Sequence, residues 1–204
     1  GLDWSLNYHR NPTSSAFTVY KDLVPSAGKP ASDMLYTIGL GGTNYEPAVP
    51  TGRISSTNPT QVAAYLNKVK EIEALPFDAL WRKNIIHLSG GLTPFETTLF
   101  RNYLESYQTI AEDLYLGGSV KAQAKNTTNV GELINISEEV NNGLNLITFF
   151  GHSSPETNDF EVGFVTNPAL GYNNPGKYPM FLINGCNAAD FFTTAIRFGE
   201  DWVL

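Results

Sequence analysis

Two residue types suited to nucleophilic chemistry stand at matching places in this sequence. His152 follows the apolar run Leu146–Phe150 and Gly151. Cys186, the sole cysteine, follows Met180–Ile183 and Asn184-Gly185. A thiol attacks carbonyl carbon well only as thiolate, and an imidazole in reach can take its proton, so Cys with His is a minimal set for acyl transfer. Each run is short, partly aromatic and bounded by Gly, Asn or Pro, which predicts a buried strand. In an open parallel sheet, reactive groups sit just past the carboxyl ends of the strands. Cys186 is also expected to open a helix, whose N-terminus favours thiolate. The competing reading of a lone cysteine is a small buried hydrophobe. Of the other histidines, His87 lies inside an apolar run and reads as a packed residue, and His9 has no evident partner.

The elements that must position this pair are legible as an alternation. Asn84 to Leu88 is predicted as a core strand ending in Ser89-Gly90-Gly91, and a helix follows from about Thr93 to Leu114. Ser119 to Ala124 alternates as a strand near a sheet edge. A helix is expected over about Asn129 to Asn141, ended by Asn142-Gly143. Upstream, Asn58-Pro59 opens a helix that runs to about Ala74 and is stopped by Pro76. Phe17 to Tyr20 and Met34 to Ile38 read as short strands, and Val49 to Ile54 as an extended stretch. The glycines from Gly39 to Gly42 read as a turn, since they lack the Lys-Ser/Thr ending of a phosphate loop and no helix pattern follows. Ser153 to Tyr178 reads as a long polar connection, a kind that is usually functional or mobile. Ala188 to Leu204 reads as a helix with Phe191, Phe192, Ile196 and Trp202 available for packing. This order implies an α/β sandwich with a mostly parallel central sheet, as one domain over 1–204 with an irregular part over 1–33.

Bulk properties narrow the partners. The chain has 204 residues, 42% of them apolar and 16% charged, in keeping with a globular protein. A net charge of −7 argues against a nucleic-acid partner, which needs a basic face. No apolar run approaches the roughly 20 residues of a membrane span, and no signal-peptide pattern is present. The sequence opens on Gly1-Leu2-Asp3, from which a piece excised from a longer protein, or a mature fragment, is expected.

Gly151-His152-Ser153-Ser154, followed 34 positions after His152 by the strand-end Cys186, resembles the gingipain family of caspase-like cysteine peptidases. Ser32-Asp33 with Tyr36, Gly52-Arg53-Ile54-Ser55, the helix through Tyr65 to Glu73 and Glu156-Thr157 extend the similarity. Among gingipain relatives the chain looks most like the sortase-like peptidases of the bacterial type IX secretion system. The resemblance implies a caspase-like α/β/α sandwich, truncated here at both ends. It also implies a His152–Cys186 dyad, with the backbone N–H groups of Ser153 and Cys186 as oxyanion donors. It requires no cofactor and admits calcium as a structural ion, with Asp159 and Glu161 as weak candidate ligands. The expected partners are a protein or peptide substrate, other domains of a larger chain and secretion-system components. The expected location is the periplasm, outer membrane or surface of a Gram-negative bacterium.

The sequence departs from the family pattern at two places. Ser89 stands where the family has an acid before Gly-Gly, and Ser153 where it has Gly. Ser89, Glu96 and Glu156 are therefore the candidate orienting or pocket residues, Glu96 being an acid that could replace the missing one. Two functions follow as alternatives: a cysteine endopeptidase or sortase-like transpeptidase, and an inactive relative serving as a binding or scaffold domain.

Overall fold

The computed structural model describes Val24 and residues 32–42, 44–190 and 197–204. Their elements in chain order are α1 (Pro59–Ala74), β1 (Asn84–Ser89), α2 (Pro94–Ala111), β2 (Ser119–Ala124), β3 (Glu132–Leu133), α3 (Ser137–Asn142), β4 (Leu146–Phe150), β5 (Phe160–Glu161), β6 (Met180–Asn184) and α4 (Phe198–Val203). The chain forms two compact units, one of residues 1–62, 191–196 and 204, the other of residues 63–190 and 197–203.

The second unit carries a four-stranded, wholly parallel sheet in the order β2-β1-β4-β6, flanked by helices. This is the α/β architecture expected from the alternation, and it is consistent with a caspase-like fold. β1 reads as a continuous apolar run because it is central and covered on both faces, whereas β2 alternates at the end of the sheet. The core gathers Ile86 and Leu88 of β1, Ile147 and Phe149 of β4, Ile136 and Val140 around α3, Phe160 and Val162 around β5, and Phe198 of α4.

Register matters most at the carboxyl ends of the strands. Ala124, Ser89, Phe150 and Asn184 lie side by side in one row. The ladder continues one step past that row: Lys125 N–H donates to the Ser89 carbonyl (2.8 Å), Gly90 N–H to Phe150 (2.9 Å) and Gly151 N–H to Asn184 (3.2 Å). All the loops that follow thus start from one level.

Several expectations give way. Met34–Tyr36 is a 3-10 turn rather than a strand, closed by Tyr36 N–H to the Asp33 carbonyl and Thr37 N–H to Met34. Its apolar side chains stay exposed, so no sheet neighbour rewards extension. Nearby in the same unit, the Asp33 carboxylate accepts from Arg53 Nε (2.7 Å) and Nη2 (2.5 Å), a bidentate pair. The helix expected over Asn129 to Asn141 is only α3. Its first half is extended, with β3 pairing in parallel with β5. The Asn135 side chain accepts the Ser137 N–H at 2.8 Å, a local turn that competes with helix.

The Ser153 to Tyr178 connection holds β5, a 3-10 turn at Pro168–Leu170 and the buried residues Asn158, Asp159, Phe160 and Val162. Helix α2 stops at Ala111, where Asp113 Oδ1 then accepts the N–H groups of Tyr115 and Leu116. In the final segment Phe198–Val203 is helical, whereas Asn187 to Asp190 is bend and turn. The expected strand at Phe17 to Tyr20 and the packing roles of Phe191, Phe192 and Ile196 lie outside the described residues.

Candidate active site

His152 and Cys186 each stand two residues past a register pair, Phe150 of β4 and Asn184 of β6. Adjacent parallel strands lie about 4.8 Å apart, so the two residues leave the sheet side by side. The loops that bear them are tied directly: Ser153 Oγ donates to the Cys186 carbonyl at 2.6 Å. This approach needs a glycine at 185. A Cβ there would overlap Ser153 Oγ and lie 3.0 Å from Ser153 Cβ and 3.3 Å from the Phe149 ring. Cys186 is exposed, unlike a packing cysteine. No helix begins at it. Asn187 takes a left-handed conformation (φ 57°), and Asp190 N–H closes a turn on its carbonyl at 3.0 Å. Asn bears that conformation better than most residues, and such backbone gathers at functional loops. The expected thiolate stabilisation by a helix starting at Cys186 is therefore withdrawn.

The loop after His152 is a small hairpin. Asp159 N–H donates to the His152 carbonyl (2.8 Å) and Ser154 N–H to the Thr157 carbonyl (2.8 Å), with Ser153 and Asn158 bridged between them. These two bonds leave the Ser153 N–H out of the hairpin's own pairing. The tip is fastened to α4 through Phe198 N–H to the Pro155 carbonyl (3.3 Å) and an ion pair between Glu156 and Arg197. Glu156 therefore braces the loop from outside and lies paired away from the imidazole.

The acid that reaches the imidazole is Glu96. Its Oε1 lies 3.4 Å from His152 Nε2. Helix-capping chemistry puts it there. Thr93 caps α2 by accepting the Glu96 N–H (3.2 Å), Pro94 takes the first helical position, and Glu96 Oε2 turns back to accept the Leu92 N–H at 2.9 Å. That hydrogen bond from Leu92, followed by the charge and hydrogen bonding of His152, holds the Glu96 carboxyl below its ordinary pKa. One helical turn on, Phe100 sets its ring 5.9 Å from the imidazole and 4.9 Å from Phe150. Positions 96 and 100 share a helix face, so α2 offers the histidine a carboxylate and an aromatic wall together. In the sequence, Phe100 is one of the apolar positions recurring along this helix, and nothing in that pattern marks it as a neighbour of His152.

The remaining candidates fall elsewhere. Ser89 is buried at the end of β1 beside Phe150 and brings no carboxylate. Asp159 is buried, with Oδ2 accepting the Gly91 N–H at 2.6 Å, while Glu161 lies over Gly131. Among the described residues, no group of three or more His, Cys, Asp and Glu side chains is placed to hold a metal ion. Among the same residues, no helix is long and apolar enough to cross a membrane.

No curated protein and no solved structure shows a significant match to the chain. A family profile does match, that of Peptidase family C25, over residues 5–204. That span takes in the parallel sheet, both strand-end loops and the capped helix that carries Glu96. The chain belongs to Peptidase family C25, the gingipain family of cysteine peptidases.

Proposed function

We propose that this chain is a working peptidase domain in which Cys186 is the nucleophile, His152 its base and Glu96 the acid that orients His152. The observation that carries this reading is the register. Histidine and cysteine leave neighbouring parallel strands at the same level and are joined by the Ser153–Cys186 hydrogen bond. With Glu96 on Nε2, the ring's other nitrogen, Nδ1, is left to take the thiol proton.

The thiolate then adds to the scissile carbonyl carbon. The oxyanion is held by backbone N–H groups, for which Ser153 and Cys186 are the candidates, an interaction worth about 3–4 kcal/mol of barrier. The C–N bond breaks as the imidazolium passes its proton to the leaving amine. Water resolves the thioester in hydrolysis, and an amine resolves it in a sortase-type transfer. The resemblance to sortase-like peptidases of type IX secretion supports the transfer, an exported location in a Gram-negative bacterium and a protein substrate.

The test is covalent capture. A peptidyl acyloxymethyl ketone should add once to the folded protein by intact mass, at Cys186, and Cys186→Ala should take no label. With a reactive peptide ester, product that incorporates added glycinamide marks transfer, and free acid alone marks hydrolysis. A folded protein that takes no label supports the second reading, a catalytically silent scaffold, which the absence of an acid at Ser89 favours.

A further inference from the structure

We infer that Asp159 is a positioning residue for the acid–base pair, holding the Glu96 loop and the His152 loop in one arrangement. This rests on the His152–Cys186 reading above. The starting observation is a closed circuit of contacts. Asp159 Oδ2 accepts the Gly91 N–H at 2.6 Å, and the next residue, Leu92, donates its N–H to Glu96 Oε2 at 2.9 Å. Glu96 Oε1 lies 3.4 Å from His152 Nε2, and the His152 carbonyl accepts the Asp159 N–H at 2.8 Å. The circuit returns to its origin through two loops that leave different strands. Any shift of the Asp159 side chain is therefore felt at both the acid and the imidazole.

The sequence makes room for this carboxylate. A Cβ at Gly90 would overlap Asp159 Oδ1, and one at Gly151 would lie 2.5 Å from it. These glycines follow β1 and β4, so the carboxylate is wedged between two strand ends, where it is only 4% exposed. A buried carboxylate is costly unless matched. Only Oδ2 is matched, by the Gly91 N–H, while Oδ1 has no hydrogen-bond partner among the described residues; the Gly91 carbonyl in turn accepts from Lys125 Nζ at 3.1 Å. Lys125 is itself buried, at 2% exposure. Asp159 and Lys125 thus bracket the Gly91 residue from opposite ends, and that residue sets the path into the cap that presents Glu96. Of the other charged groups nearby, Glu156 and Arg197 pair with each other at the hairpin tip, and Glu132, whose N–H donates to the Asp159 carbonyl at 3.1 Å, accepts with its carboxylate from the N–H groups of Asn126 and Thr127.

The experiment follows the rate of Cys186 alkylation by iodoacetamide against pH, in the intact chain. His152→Ala should raise the midpoint toward that of an ordinary thiol, about 8.5. If it does not, the dyad reading itself fails, whatever Asp159 does. Given that shift, Glu96→Gln should raise the midpoint part of the way, and Asp159→Asn should raise it in the same sense. Asp159→Asn should slow labelling near neutral pH on the order of tenfold. Adding Asp159→Asn to Glu96→Gln should produce no further rise, because the two act through one circuit.

A lowered melting temperature with the midpoint unmoved, or additive shifts in the double variant, overturns the inference and leaves the dyad standing. Should Asp159→Asn not fold, Gly90→Ala displaces the carboxylate without removing it and is expected to move the midpoint in the same direction. Failure of both variants to fold assigns Asp159 to the scaffold and also overturns the inference.

Discussion

At the residue scale the question is which carboxylate serves the histidine. The sequence pattern offers Ser89 where an acid is expected, and that gap is real, since Ser89 is buried at the end of β1. In the proposed mechanism Glu96 fills it from a different element, held by the Leu92 N–H with its second oxygen toward Nε2. Glu96→Gln keeps the size and the capping acceptor while removing the charge. It is expected to slow labelling of Cys186 by the acyloxymethyl ketone about tenfold, less than the roughly 10²–10⁴-fold contribution of a proton-transferring group. Unchanged labelling would return Glu96 to a helix-capping role alone. The position of Glu96 was legible in part: a helix was expected from about Thr93, and the acid in its first turn was named as a substitute. That its free oxygen would face His152 was not legible, because that depends on α2 and β4 coming together through Phe100 and Phe150.

At the scale of elements, the strands were legible and the short irregular pieces were not, for one physical reason. β1 and β4 are fixed by burial, which writes itself into composition as unbroken apolar runs, whereas β6, at the end of the sheet, forms the expected strand but not a buried one, since Met180 and Leu182 are exposed. β3 and the start of α3 are fixed by pairing with β5 and by the Asn135 side chain, neither of which leaves a periodic trace. The Cys186 loop belongs to the second kind. Its expected helix yields to a turn through the left-handed Asn187, and its placement depends on Gly185 lying against Ser153. Gly185→Ala should force the Ser153 side chain to rotate and break its bond to the Cys186 carbonyl, at a cost of about 1–2 kcal/mol in chemical denaturation. Labelling of Cys186 should slow along with it. Adding Ser153→Gly relieves the overlap and should recover part of the stability but not the tie to Cys186. A Gly185→Ala protein as stable as the parent and labelled at the same rate would show that the tie does not hold this loop.

At the scale of the whole molecule, His87 in the sheet and Glu96 at the site contribute to stability in different pH windows. His87 sits mid-strand in β1, between Ala122 of β2 and Thr148 of β4, and is 3% exposed. Its packed character was readable from the flanking Ile86 and Leu88, whose apolarity marks a strand covered on both faces. Burial pushes its pKa below the ordinary histidine value, and the Ile86 backbone and then the charge of Glu112 only partly oppose this. The folded state therefore prefers the neutral ring, while the unfolded chain takes up a proton as pH falls through about 6.5. Stability from this group is complete above that pH and is lost as pH falls toward the lower, folded-state value. Glu96 also has a depressed pKa, but as a carboxylate its contribution is lost only below about pH 4.3. The melting temperature should therefore begin to drop as pH falls through about 6.5, and His87→Leu should flatten that drop while leaving the fall below about pH 4.3 in place. Parallel curves for the parent and His87→Leu would mean that His87 is not the group whose protonation the fold resists, and that acid sensitivity in this range arises at the loops instead.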